Sequence, residues 1–161
     1  MLNIHTSSLR SIDLKAGTQI LLSGTVYTAR DAAHKRLCEA LANGNPLPLD
    51  LKDAVIYYAG PTAAKPGAVI GSCGPTTAIR MDKFAPLFYD MGVAATIGKG
   101  VRSPEVLEAI KRNGAFYFQA VGGAGALAAK YITSMQVIAY EDLGCESIKR
   151  LTFENFPLIT G

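Results

Sequence analysis

Gly71-Ser72-Cys73-Gly74-Pro75-Thr76-Thr77-Ala78-Ile79-Arg80-Met81-Asp82 is the stretch on which the reading of this chain turns. The apolar run Gly67 to Ile70 enters it as a strand would, Gly71 to Pro75 breaks the chain, and the pattern from Thr76 to Met91 predicts a helix. A helix N-terminus leaves backbone N–H groups unpaired and carries partial positive charge, which suits a carboxylate or a phosphate. Thr76 and Arg80, four apart, fall on one helix face with side chains tilted toward its N-terminal end. A hydroxyl, a guanidinium and free amides would then address one small volume. The plain alternative is an N-cap threonine beside a solvated arginine.

A second arrangement of the same kind lies upstream. Thr18 to Gly24 reads as a strand closed by its glycine, and Thr28 with Asp31 three residues on has capping-box spacing, so a helix is predicted from there to Gly44. Ala33, Leu37, Ala40 and Leu41 make its buried stripe. Arg30 in the first turn opposes the helix dipole and so calls for an anionic partner, while His34 follows one turn later. A salt bridge for Arg30 and a structural hydrogen bond for His34 are the simpler readings of each residue taken singly. Taken together, two strand-turn-helix units that each carry threonine and arginine look like two halves of a clamp for a substrate with two carboxylates.

The remaining chain alternates in the same way. Ala54 to Ala59 is a buried strand, and Gly92 to Gly100 a strand that ends in a Gly-Lys-Gly turn where Lys99 can deliver a point charge. Ser103-Pro104-Glu105 opens a helix that Gly114 closes, and Ala115 to Val121 is the next strand. Gly123-x-Gly125-x-x-Ala128 has nominal dinucleotide spacing, with Glu141 and Asp142 downstream. Only about two turns of helix fit before the strand from Gln136, and no second βαβ half follows, so the nicotinamide reading is set aside. Ser8 to Leu14 reads as an edge segment, Ile148 to Phe153 as a last strand, and the tail around Pro157 as surface or interface. The sum is a single domain over residues 1–161, of α/β class, three-layered, with a mixed sheet.

Composition sets the outer bounds. With 161 residues, 49% of them hydrophobic, the chain can bury a real core. A net charge of +3, spread without runs, argues against nucleic acid as a partner but leaves room for a small anion. No apolar stretch approaches the ~20 residues of a membrane span, and the N-terminus lacks a signal-peptide layout, so no membrane partner and a cytoplasmic location are expected. Cys38, Cys73 and Cys145 suggest neither a disulfide framework nor a metal knuckle. Packing is expected for Cys38 and Cys145, and Cys73 lacks a visible partner base.

Gly24-Thr25, Thr28-Ala29-Arg30-Asp31-Ala32-Ala33-His34, Lys65-Pro66-Gly67, Gly71-Ser72, Gly74-Pro75-Thr76-Thr77-Ala78, Arg80-Met81-Asp82, Ile97-Gly98-Lys99-Gly100 and Gly122-Gly123 occur here in one order. That order resembles the β subunit of the class I (iron–sulfur) fumarate hydratase and L-tartrate dehydratase family, equivalent to the C-terminal domain of its single-chain members, over roughly Gly17 to Leu143. The resemblance implies a swivelling β/β/α domain and a reversible hydro-lyase reaction, hydration of fumarate to L-malate or dehydration of tartrate. It also implies a four-iron four-sulfur cluster held by three cysteines of a partner α subunit, none of them in this chain, and a hetero-oligomer such as (αβ)2. Carried over position by position, Arg30 and Arg80 look like the residues gripping substrate carboxylates, Lys99 like a third cationic contact, Thr76 like the proton-abstracting base and Thr77 like a substrate ligand. Ile79 departs from the small residue common in the family and bears on which dicarboxylate is taken. A module that binds small carboxylates without chemistry is the alternative of another class.

Overall fold

The apolar run at 54–59 forms strand β3 (Val55–Tyr57), and its side chains divide by parity, as a strand buried on both faces requires. Val55, Tyr57 and Ala59 enter one core with Ile97, Phe116, Phe118 and Phe153, while Ile56 and Tyr58 enter a second with Leu37, Phe88, Tyr89 and Val106. The computed structural model describes residues 1–120 and 128–161.

Around β3 lie β1 (Leu2–His5), β2 (Gln19–Thr28), β4 (Ala95–Gly98), β5 (Phe116–Ala120), β6 (Ile132–Ala139) and β7 (Ile148–Thr160). They form one mixed sheet in the order β1-β2-β3-β4-β5-β7-β6, with a further antiparallel pairing of β2 to β7. Strands β2, β3, β4, β5 and β7 therefore pair in a ring. The first core fills its interior. The second lies under the helices α1 (Asp31–Ala42), α2 (Ala85–Asp90) and α3 (Pro104–Arg112). The α/β class and the mixed sheet agree with the sequence. Helix α3 starts on Ser103, whose hydroxyl accepts from Val106 N, as its N-cap reading requires.

Several expectations are corrected. Gly67 to Ile70 is a turn and no strand, and Ser8 to Leu14 gives way to a 3-10 turn at Thr6–Ser11. No helix runs from Thr76 to Met91: Pro75 and Thr77 bridge to Ala59 and Lys99, a 3-10 turn spans Ala78–Met81, and only Ala85–Asp90 is α-helical. Strand pairing has consumed the residues that were to open the helix. Gly24 does not end β2. It sits at φ 123 in a bulge, where a Cβ would lie 2.2 Å from Thr6 Oγ1. Thr28 remains inside β2, so α1 begins at Asp31 with Arg30 as its N-cap.

The last strand is 13 residues long and includes Pro157. That proline lies between the part of β7 paired to β6 and the part paired to β5, where a missing N–H is tolerated. Cys38 is partly buried and packs against the second core as expected, whereas Cys145 is exposed, against the packing role expected of it. The glycine motif Gly123-x-Gly125-x-x-Ala128 lies, but for Ala128, outside the described residues.

Candidate functional site

Parallel strands β2, β3 and β4 are in register at Thr28, Tyr57 and Ile97, so their chains leave the sheet at one level. Arg30, Ala59 and Lys99 each come two residues later. With neighbouring strands about 4.8 Å apart, Arg30 and Lys99 emerge roughly 10 Å from each other with Ala59 between them. The carboxyl ends of parallel strands are where open α/β folds place their ligands.

The segment Pro75–Thr77 is laid across this edge. Thr76 N donates to Tyr58 O at 2.7 Å, Lys99 N donates to Thr76 O at 3.3 Å, and Ala78 N donates to Lys99 O at 2.8 Å. Thr76 and Thr77 are thereby fixed beside Lys99. The turn that follows carries Arg80, whose guanidinium pairs with the carboxylate of Asp31, the neighbour of Arg30. So Arg30, Thr76, Thr77, Arg80 and Lys99, five residues from three separate sequence blocks, gather at one end of the molecule.

The mode of anion recognition differs from the expectation. The N–H groups of Thr76, Ala78 and Arg80 are already donated to Tyr58, Lys99 and Thr77 carbonyls, so the amides expected of a helix starting at Thr76 are not on offer. Charge has to come from side chains. Arg30 has a buried Nε without a protein acceptor among the described residues. Its Cδ and Nη1 lie 3.2 and 3.4 Å from where a Cβ on Gly60 would stand, so a side chain at Gly60, three residues after β3, would crowd it. An unpaired buried guanidinium N–H is costly in isolation and is satisfied by an incoming oxygen. Arg80 keeps further donors after binding Asp31, and its side chain is 52% exposed.

Beneath the loops is a buried polar hub that the sequence reading missed. Arg102, with a side chain fully removed from solvent, donates to Asp82 Oδ1 at 2.7 Å, Thr96 Oγ1 at 3.0 Å and Tyr58 OH at 3.1 Å. Asp82 also accepts from Ser103 N at 2.5 Å, and the guanidinium lies 4.9 Å from the centre of the Tyr117 ring. Tyr117 OH in turn donates to Gly100 O at 2.7 Å. The hub ties together the residue whose carbonyl holds Thr76, the end of the turn bearing Arg80, and the residue after Lys99. The only hint in the sequence was Asp82, two residues after Arg80.

His34 has the structural hydrogen bond named as its simpler reading. Its Nδ1–H donates to Arg30 O at 2.8 Å, and the ring stacks on Phe84 and Phe88. Burial lowers its pKa from 6.5 to about 4, although the bond to Arg30 works the other way. The unfolded chain takes up a proton that the folded chain refuses, so this contribution to stability is complete above pH 6.5 and is lost as pH falls toward 4. The loss amounts to about 3 kcal/mol in all. In urea titrations, stepping from about pH 7 to pH 5 is expected to destabilise the wild type by roughly 2 kcal/mol more than His34→Gln, and parallel losses in the two proteins would contradict the assignment.

No cysteine here is placed to hold a cluster. Burial pushes the Cys73 thiol up to about 12, which keeps it protonated and a poor nucleophile at neutral pH. Among the described residues no three histidine, cysteine or acidic side chains group as a metal site. The residues present do not fit an iron–sulfur cluster.

The sequence matches the family described as Fumarase C-terminus over residues 2–160. It is 43% identical over 143 residues to fumarate hydratase 2 of Leishmania major and 42% identical over 142 residues to the aerobic class I fumarate hydratase of Escherichia coli K12. These alignments cover 88% and 87% of this chain but only 25% and 26% of those proteins, so the chain spans about a quarter of their length. A protein of Methanocaldococcus jannaschii described as L(+)-tartrate dehydratase subunit beta is 37% identical over 152 residues, covering 91% of this chain and 78% of that one.

Proposed function

The chain belongs to the Fumarase C-terminus family, and from that membership we propose that it is the β subunit of an iron–sulfur hydro-lyase that adds water to fumarate, giving L-malate. The relatives named as fumarate hydratases and as a tartrate dehydratase subunit support a hydro-lyase. The observation that carries the assignment to a small dianion is the convergence of Arg30, Arg80 and Lys99 around Thr76 and Thr77, with one guanidinium N–H of Arg30 buried and unmatched.

In this reading Arg30 and Arg80 each take a substrate carboxylate, and Lys99 adds a point charge beside the threonines. Asp31 cancels one of the three positive charges, which leaves a site suited to two negative ones. Thr76 removes the proton from the carbon next to a carboxylate during dehydration and returns it during hydration, and Thr77 holds the substrate beside it. A threonine hydroxyl is a poor base by itself. Three nearby cations favour its ionised form. The four-iron four-sulfur cluster and the acid for the departing hydroxyl are assigned to the α partner, as the family resemblance implies, and the scattered cysteines of this chain are consistent with a cluster held elsewhere. L-tartrate dehydration at the same site is the alternative substrate choice, and the exposed Ile79 beside Arg80 is the position that bears on it.

Anaerobic mixing with its α subunit is expected to yield hydration of fumarate, followed as loss of fumarate absorbance, with mesaconate and L-tartrate tested in parallel. No turnover of any of the three would overturn the proposal. All three cations belong to this chain, so the binding-module reading makes its own forecast: tight L-malate binding by the chain alone in calorimetry. The hydro-lyase reading expects weak binding until the α subunit closes the site.

A further inference from the structure

Lys149 is a lysine inside the protein, 5% exposed, in strand β7. It is held by uncharged oxygens. Its Nζ lies 2.8 Å from Ser147 Oγ, 3.1 Å from Cys145 O, 3.2 Å from Ser147 O and 3.3 Å from Gly144 O. An ammonium has three N–H donors, and here four oxygens surround it, so the group is coordinated as a positive charge and not bonded one donor to one acceptor. Carbonyl and hydroxyl oxygens drawn around a point are the shell that monovalent cations accept in place of water. Gly144, at φ 64 and ψ −123, has the backbone needed to contribute its carbonyl. A cavity of about 480 Å³ opens onto the same place, lined by Gly144, Cys145, Ser147 and Lys149 together with Pro61 and Thr62.

The turn that Lys149 gathers touches both flanks of Arg30. Cys145 O lies 2.9 Å from where a Cβ on Gly60 would stand, beside the Arg30 side chain. Glu146 Oε1 accepts from Ala32 N at 3.2 Å, which caps α1 from outside the helix. Ser147 O accepts from Thr28 Oγ1 at 3.4 Å.

We propose that Lys149 is a tethered monovalent cation: its ammonium fills an oxygen cage that would take a free ion of similar size, and by holding the Gly144–Ser147 turn it is a positioning residue for Arg30. The inference is independent of the reaction assigned above, since it concerns the folded chain alone. Burial pulls the Lys149 pKa below its ordinary value, which is the expected burden of a charge kept away from water.

Shortening the side chain should empty the cage and leave the cavity as a way in. For Lys149→Ala in choline chloride, the melting temperature is expected to fall by about 5–10 °C and exchange of the Ala32 amide to quicken by at least about tenfold. Replacing choline with ammonium or potassium at equal ionic strength should restore at least about half of each loss by mass action, while the wild type melts alike in all three salts. Lys149→Met, which refills the space without charge, should melt low and ignore the choice of salt. Indifference of the alanine variant to ammonium and potassium would overturn the proposal, as would a methionine variant with wild-type melting and wild-type protection at Ala32. Should the alanine variant fail to fold in every salt, the methionine variant decides: lost protection at Ala32 supports the tethered cation, and retained protection refutes it.

Discussion

Arg102→Met is expected to lower the unfolding free energy by about 3–5 kcal/mol, the range for removing one member of a buried ion pair. Asp82 would be left 9% exposed with its counter-charge gone, and Thr96 and Tyr58 would each lose a donor. Methionine replaces the stem but not the fork, so the loss should fall on the polar network and not on packing. Urea titration followed by circular dichroism would show a lower midpoint at unchanged slope, and the double variant Arg102→Met with Asp82→Asn should recover part of the loss by removing the stranded carboxylate. A change under about 1 kcal/mol would mean that water or a neighbour replaces the guanidinium, and the hub would lose its place in the account.

The second large effect concerns turnover and not stability. If the chain is the hydro-lyase subunit proposed above, Arg80→Ala in the assembly with its α partner is expected to reduce kcat/KM by about 2–5 kcal/mol, roughly thirty-fold to several thousand-fold, through loss of a charge-assisted contact to a substrate carboxylate. The same change should leave the melting temperature nearly untouched, because the pair with Asp31 is half exposed and such pairs contribute little. Unchanged kcat/KM in a well-folded variant would remove Arg80 from the site. The contrast between the two arginines is informative. One is expected to hold the fold with little contact to solvent, the other to act on a ligand with little effect on the fold.

What could be read from the sequence was whatever depends on near neighbours. The N-cap at Ser103, the buried apolar run of β3 and the alternating order of strands and helices rest on local pattern, and they stand in the structure. Thr76 to Met91 was misread for the opposite reason: a helical pattern was present, but the ends of β3 and β4 claimed Thr76 and Ala78 by backbone pairing, a long-range event that local propensity does not report. The tail after Phe153 looked like surface because Pro157 interrupts it. Nothing nearby in the sequence shows that β2 waits to pair with it. The candidate site was legible as a set of residue types, and the fold brings Arg30, Thr76, Thr77, Arg80 and Lys99 to one end. Arg102, Asp31 and Lys149 were not legible, since each matters through a partner that only the folded chain supplies.

The closed circuit of strands has a temporal side. Its final link is the stretch from 148 to 160, which must seat itself against residues 19–28 more than a hundred positions earlier. A growing polypeptide therefore cannot complete the circuit until Thr160 has emerged from the ribosome, and until then the aromatic side chains Tyr57, Phe116 and Phe118 stand without their covering wall. The length of time for which those rings stay uncovered is set by how fast residues 148–160 are made and seated.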